Sequence, residues 1–166
     1  MRLKISFIAW ILALSATSFA QGKLTTFILL RHAEKVSDGS KNPVLTEAGK
    51  KRADGLVTLF RNTPIAAIYT TDYIRTRETV APLAKSKSLE MKNYEAFKDD
   101  AIAKMLKDHD GGTVLVSGHS NNIPRIANYL TGTENYKDFN DGDYGNILIV
   151  TVAERGRVAN VTWLTY

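Results

Sequence analysis

The sequence predicts an α/β three-layer sandwich, with a mostly parallel central sheet, helices on both faces and an antiparallel hairpin at the C-terminal end. Three observations carry the prediction. Apolar, β-branched runs of strand length alternate with helix-period segments along the chain. The first such run, Leu24 to Leu30, is almost continuously apolar, as a strand buried on both faces must be. The chain ends on two strand-like segments joined through Glu154-Arg155-Gly156, too short a link for a crossover helix.

Each element has its own signal. After the first strand, Val36 to Pro43 is a polar loop. Thr46 is placed to cap a helix, Glu47 suits its first turn, and Ala53, Leu56, Val57 and Phe60 recur at helical spacing. Ile65 to Thr70 is a short strand, followed by a helix capped by Thr71 or Asp72 and running to about Lys85 even though Pro82, a residue type that kinks or ends helices, lies inside it. Leu89 to Tyr94 reads as a strand, Ala101 to Lys107 as a helix and Thr113 to Ser117 as a strand. Asn121 to Leu130 is a helix with Pro124 in its first turn and Gly132 as its stop. Asn146 to Val152 and Arg157 to Leu164 form the terminal hairpin. No repeat or interdomain linker interrupts this order, so one domain is expected.

Composition narrows the chemistry. A chain of 166 residues, 44% hydrophobic and 23% charged, can bury a core without metal or disulfide staples. The absence of cysteine removes thiol nucleophiles, disulfides, iron-sulfur clusters and thiolate zinc sites. Residues 1–20 read as an export signal: Arg2 and Lys4 lead, Ile5 to Leu14 is apolar, and Ser18-Phe19-Ala20 resembles a cleavage site. That apolar run is about half the roughly twenty residues a membrane span needs, and no cysteine follows it for lipid attachment, so no stable membrane anchor is expected after cleavage. The expected domain is 21–166, exported to a periplasm or beyond the cell. Losing two basic residues with the leader lowers the net charge from +5 to +3. The one basic run, Lys50-Lys51-Arg52, lacks interleaved aromatics, so nucleic acid is not an expected partner.

In open α/β sheets, ligands bind beyond the carboxyl ends of the strands. Two of the three histidines fall there, in Arg31-His32 after the first strand and in Gly118-His119 after the Thr113 to Ser117 strand. Arg31 should emerge at the rim of the cleft. Arg75, in the first turn of its helix, belongs to the same side, whereas Arg77 points elsewhere. His109, between two aspartates, reads as solvated. Two imidazoles, two guanidiniums and two helix N-termini around one point suit a tetrahedral oxyanion.

Four blocks in this order resemble the histidine phosphatase superfamily, with its phosphoglycerate mutase-like fold: Leu29-Leu30-Arg31-His32-Ala33-Glu34-Lys35, Leu45-Thr46-Glu47-Ala48-Gly49, Tyr69 to Thr79, and Val116-Ser117-Gly118-His119-Ser120. The family's Arg-His-Gly stands here as Arg-His-Ala. The resemblance implies a phosphohistidine mechanism with His32 as nucleophile and with Arg31, Arg75 and His119 forming the phosphate pocket. Physical chemistry agrees with those roles. Two guanidiniums should hold the His32 imidazole neutral and nucleophilic, and they, with a donor on His119, can bind the charge that develops on the phosphoryl oxygens without metal or other cofactor. Lys35 reads as a solvated side chain.

The resemblance also implies a carboxyl general acid placed after the second arginine and the next strand. Glu95 is the first choice, with Asp99, Asp100 and Glu34 as rivals. A mutase would need cytosolic partners, so the export signal favours a phosphatase acting on a small phosphorylated substrate or on phosphohistidine in a phosphoprotein. With 146 residues after Ala20 there is little room for helical insertions, and a shallow, open site is expected. The competing readings are a phosphate-binding module on the same fold with little or no turnover, and a metal-dependent hydrolase, which the paired arginines oppose.

Overall fold

The computed structural model describes residues 23–166; the expected leader lies outside the described residues. The alternation appears as predicted: β1 (Thr25–Arg31), α1 (Glu47–Leu59), β2 (Ala67–Thr70), α2 (Ile74–Lys87), β3 (Met91–Asn93), α3 (Asp99–Asp108), β4 (Thr113–Gly118), α4 (Asn122–Thr131), β5 (Asn146–Glu154) and β6 (Val158–Thr165). The strands make one sheet in the order β3-β2-β4-β1-β5-β6. The first four strands of the chain are parallel, and β5 and β6 run antiparallel at one side.

Side-chain alternation along β1 divides the core. Phe27 and Leu29 face α3 and α4 with Val114, Val116, Met105, Ile123 and Ile126. Ile28 and Leu30 face α1 and α2 with Leu56, Ile68, Val80 and Leu83. Each such side chain, fully buried, contributes roughly 1.5–3 kcal/mol, which makes the continuous apolar pattern of β1 the main driver of its central place. The three-layer prediction holds for this reason.

Local chemistry sets the helix ends. Thr46 caps α1 as expected, its Oγ1 accepting from Gly49 N at 3.1 Å. At Gly49 a Cβ would lie 2.3 Å from the Glu34 carbonyl oxygen, so only glycine lets α1 seat on the segment after β1. Gly132 ends α4 in the left-handed region, with φ 67°. Three expectations need correction. The cap of α2 is Tyr73 rather than Thr71 or Asp72, and it makes no side-chain cap bond. The helix itself passes through Pro82 as expected and ends at Lys87, with Val80, Leu83 and Ala84 anchoring it on both sides of the proline. The strand over Leu89 to Tyr94 shrinks to three mostly exposed residues, and α3 starts two residues early, with Asp99 and Asp100 in its first turn, where acidic side chains suit the helix dipole.

Register brings the loops together. Arg31 pairs with Gly118 across β1 and β4, and Thr70 pairs with Ser117 across β2 and β4. The His32 N–H then donates to Gly118 O at 2.8 Å, extending the ladder one residue beyond the strand. His32, Thr71 and His119 therefore leave adjacent strands at the same level.

Candidate active site

His32 sits on the floor of a cleft at this edge, only 3% exposed. Its Nδ1 lies 2.8 Å from the Ala33 carbonyl oxygen, an acceptor, so Nδ1 carries the proton and Nε2 keeps a free lone pair. The Ala33 loop is itself pinned, because the Ala33 N–H donates to Thr79 Oγ1 at 2.8 Å. Burial pushes the His32 pKa down to about 3, with Arg31, Arg75 and His119 adding to the shift and the Ala33 carbonyl opposing it. The direction matches the sequence argument, although desolvation rather than the guanidiniums is its largest cause.

The His119 ring is 5.6 Å from that of His32, centroid to centroid, and nearly perpendicular to it. Arg75 Nη2 lies 3.3 Å from Nδ1 of His119, and Thr71 Oγ1 lies 3.0 Å from its Nε2. A guanidinium can only donate, so Nδ1 accepts and Nε2–H donates to Thr71, whose hydroxyl donates in turn to Thr76 Oγ1 at 3.0 Å. Burial, then Arg75 and Arg31, lowers the His119 pKa to about 4. Both imidazoles are neutral at pH 7. Both His119 nitrogens are engaged within the protein, so the donor expected of His119 is turned toward Thr71.

Arg31 departs from expectation. It forms the floor of the cleft rather than the rim, at 3% exposure. Its Nη1 donates to Asn140 O at 2.7 Å and to Asp141 O at 3.0 Å, and the Asp141 carboxylate stands 4.0 Å from its Nη2. Arg31 Nε and Arg75 Nε and Nη1 are buried and have no hydrogen-bond partner. Arg77 points away, donating to Asn93 Oδ1 at 2.7 Å. The four residues Arg31, His32, Arg75 and His119 line one cavity of about 520 Å³ together with Lys35, Tyr73, Phe97, Ser120, Asn121 and Asp141.

The carboxylates distribute differently. Glu95 lies beside a neighbouring cavity of about 510 Å³, against Tyr69, Tyr94 and Met105, and is ion-paired with Lys98 at 2.6 Å. Asp100 borders the same neighbouring cavity, Asp99 pairs with Arg125, and both Glu34 oxygens accept from Arg52. None of these four lines the cleft of His32; Asp141, which sequence reasoning passed over, does. His109 also differs from its expected solvated state, with Nε2 3.0 Å from the Tyr69 hydroxyl. Tyr73 could have been found from its place two residues before Arg75. Asp141 and Tyr144 lie in a polar stretch with no periodic signal.

Residues 27–100 match the family model of the histidine phosphatase superfamily, branch 1. The fold overlays on the protein histidine phosphatase SixA complexed with tungstate at TM-score 0.70 and 15% identity, covering 84% of this chain and 96% of that one. It overlays on phosphoglycerate mutase from Bacillus anthracis at TM-score 0.68 and 13% identity, covering 87% and 94%. Residues 27–100 are thus similar to the histidine phosphatase superfamily, and the fold is the one these structures share. A further likeness is to a protein assigned as phosphohistidine phosphatase SixA from Nakamurella multipartitia, at TM-score 0.62 and 20% identity over 86% of this chain and 95% of that one. A search of curated proteins gives no match. Among the described residues, no group of three or more His, Asp or Glu side chains is placed to hold a metal ion.

Proposed function

We propose that the protein is an exported phosphatase that transfers a phosphoryl group to Nε2 of His32 and releases it to water as inorganic phosphate. One observation carries the reading: three guanidinium nitrogens, on Arg31 and Arg75, are buried without partners beside an imidazole whose lone pair is free. A buried unpaired donor costs about 1–3 kcal/mol, and the oxygens of a bound phosphoryl group supply the missing acceptors. In the first step the Nε2–P bond forms as the bond from phosphorus to the leaving group breaks, and the arginines hold the charge on the equatorial oxygens. In the second, water attacks phosphorus, the Nε2–P bond breaks, and His32 is neutral again.

Substrate class follows from the carboxylates. Alkyl ester cleavage gains from a positioned acid, and the carboxyl in this cleft is Asp141, exposed and facing Arg31. Phosphohistidine needs less help, because its leaving group is an imidazole with a pKa of about 6.5 rather than an alkoxide. Phosphohistidine on a partner protein is thus the favoured substrate, in keeping with the SixA likeness, and aryl phosphates are its accessible surrogates. The purified protein is expected to hydrolyse a phosphohistidine peptide and an aryl phosphate in the presence of EDTA, with acid-labile phosphate trapped on His32. His32→Ala should abolish both. Turnover surviving that substitution rejects the nucleophile, and tight phosphate binding with no turnover by the unaltered protein supports the binding-module alternative.

A further inference from the structure

Each phosphate-facing guanidinium lies on the face of a tyrosine. Arg31 Cζ is 4.4 Å from the ring centroid of Tyr144, and Arg75 Cζ is 4.4 Å from that of Tyr73. The same rings reach the imidazoles, Tyr73 at 5.0 Å from His119 and Tyr144 at 5.9 Å from His32. The two contacts come from different parts of the chain, so one local accident does not explain both.

Tyr73 occupies a position that local stability would give to another residue. Ser, Thr, Asp or Asn at a helix N-cap bonds the free N–H groups of the first turn, and tyrosine there makes no such bond. The Ile74 N–H is satisfied instead from a distant loop, by Asn42 Oδ1 at 2.8 Å. A break in local preference with a remote repair is what a functional constraint on the ring would leave. Tyr144 ends a stretch organised around Arg31. Asn140 and Asp141 supply the two carbonyls, Asp143 Oδ2 accepts from Asn140 N and Nδ2, and Phe139 N donates to Ser120 O at 3.0 Å, beside His119.

We propose that Tyr73 and Tyr144 are positioning residues that hold the planes of Arg75 and Arg31 so that their unpaired N–H groups face the phosphoryl oxygens. A ring face satisfies the flat side of a guanidinium and leaves its N–H edge for an anion. The two cases are unequal. Arg31 keeps two carbonyl bonds if Tyr144 is lost, whereas Arg75 keeps only its contact with His119, so Tyr73 matters more. The inference rests on the oxyanion reading above.

The test measures the dissociation constant of orthovanadate, together with kcat and KM for aryl phosphate, in Tyr73→Phe, Tyr73→Leu, Tyr144→Phe and Tyr144→Leu of the full protein. Both phenylalanine variants should stay within about twofold of the parent. Tyr73→Leu should weaken vanadate binding about tenfold and Tyr144→Leu by less, a scale that cation–π contacts support. Leucine variants that match phenylalanine variants, or phenylalanine variants that lose as much as leucine variants, overturn the proposal. Melting temperature separates loss of positioning from loss of fold, and 41% exposure of Tyr73 makes unfolding an unconvincing explanation there. If the parent protein binds no vanadate, it is the oxyanion reading that fails.

Discussion

At the scale of single residues, the proposed chemistry depends on two histidines kept neutral by burial. That state has a measurable cost. An imidazole in the unfolded chain titrates near 6.5, whereas in the fold His32 and His119 sit at about 3 and about 4. Between those values the unfolded chain binds more protons than the folded one, so stability rises with pH and is lost on acidification. Above about pH 7.5 both states are neutral at these positions and the dependence ends. Urea midpoints should therefore fall from pH 7 to pH 5, and the fall should shrink in His32→Gln. An unchanged slope in that variant would mean that His32 does not carry the linkage. Arg31 and His32 were legible in the sequence because they interrupt an apolar strand. The depth of Arg31 was not, because its burial comes from carbonyls of residues 140 and 141, over a hundred positions away.

At the scale of elements, α2 does more than cover the sheet. It carries Arg75 into the cleft, and one turn later Thr79 accepts the Ala33 N–H and donates to Arg75 O at 2.7 Å. One hydroxyl thus links the loop that orients His32 to the helix that presents Arg75. Thr79→Val keeps the volume but leaves Ala33 without an acceptor, which should cost about 1–3 kcal/mol in a thermal or denaturant melt and lower kcat. Thr79→Ser should restore both, and a valine variant as stable and active as the parent would show that the link is idle. The alternation of strands and helices was readable because periodicity is a local property. The start of α2 was not, because its capping group arrives from Asn42, and the carboxylates after β3 were misplaced because ion pairs with Lys98 and Arg125 decide where they point.

At the scale of the whole molecule, address and architecture are separate questions. We propose export on the strength of residues 1–20. Expression of the full chain in a bacterium should yield an exported protein whose N-terminal residue is Gln21, and an intact Met1 on protein retained in the cytosol would refute it. The architecture places His32 and His119 on the most protected part of the sheet. β1 and β4 lie side by side inside it, and the bond from His32 N to Gly118 O carries their pairing past the strand ends. The spacing of His32 and His119 along the cleft floor thus follows from the pairing of the two main chains. Under the proposed function, substitutions at the cleft's borders, such as Lys35, Phe97 or Asn121, would change what the site accepts before they change the chemistry at its floor.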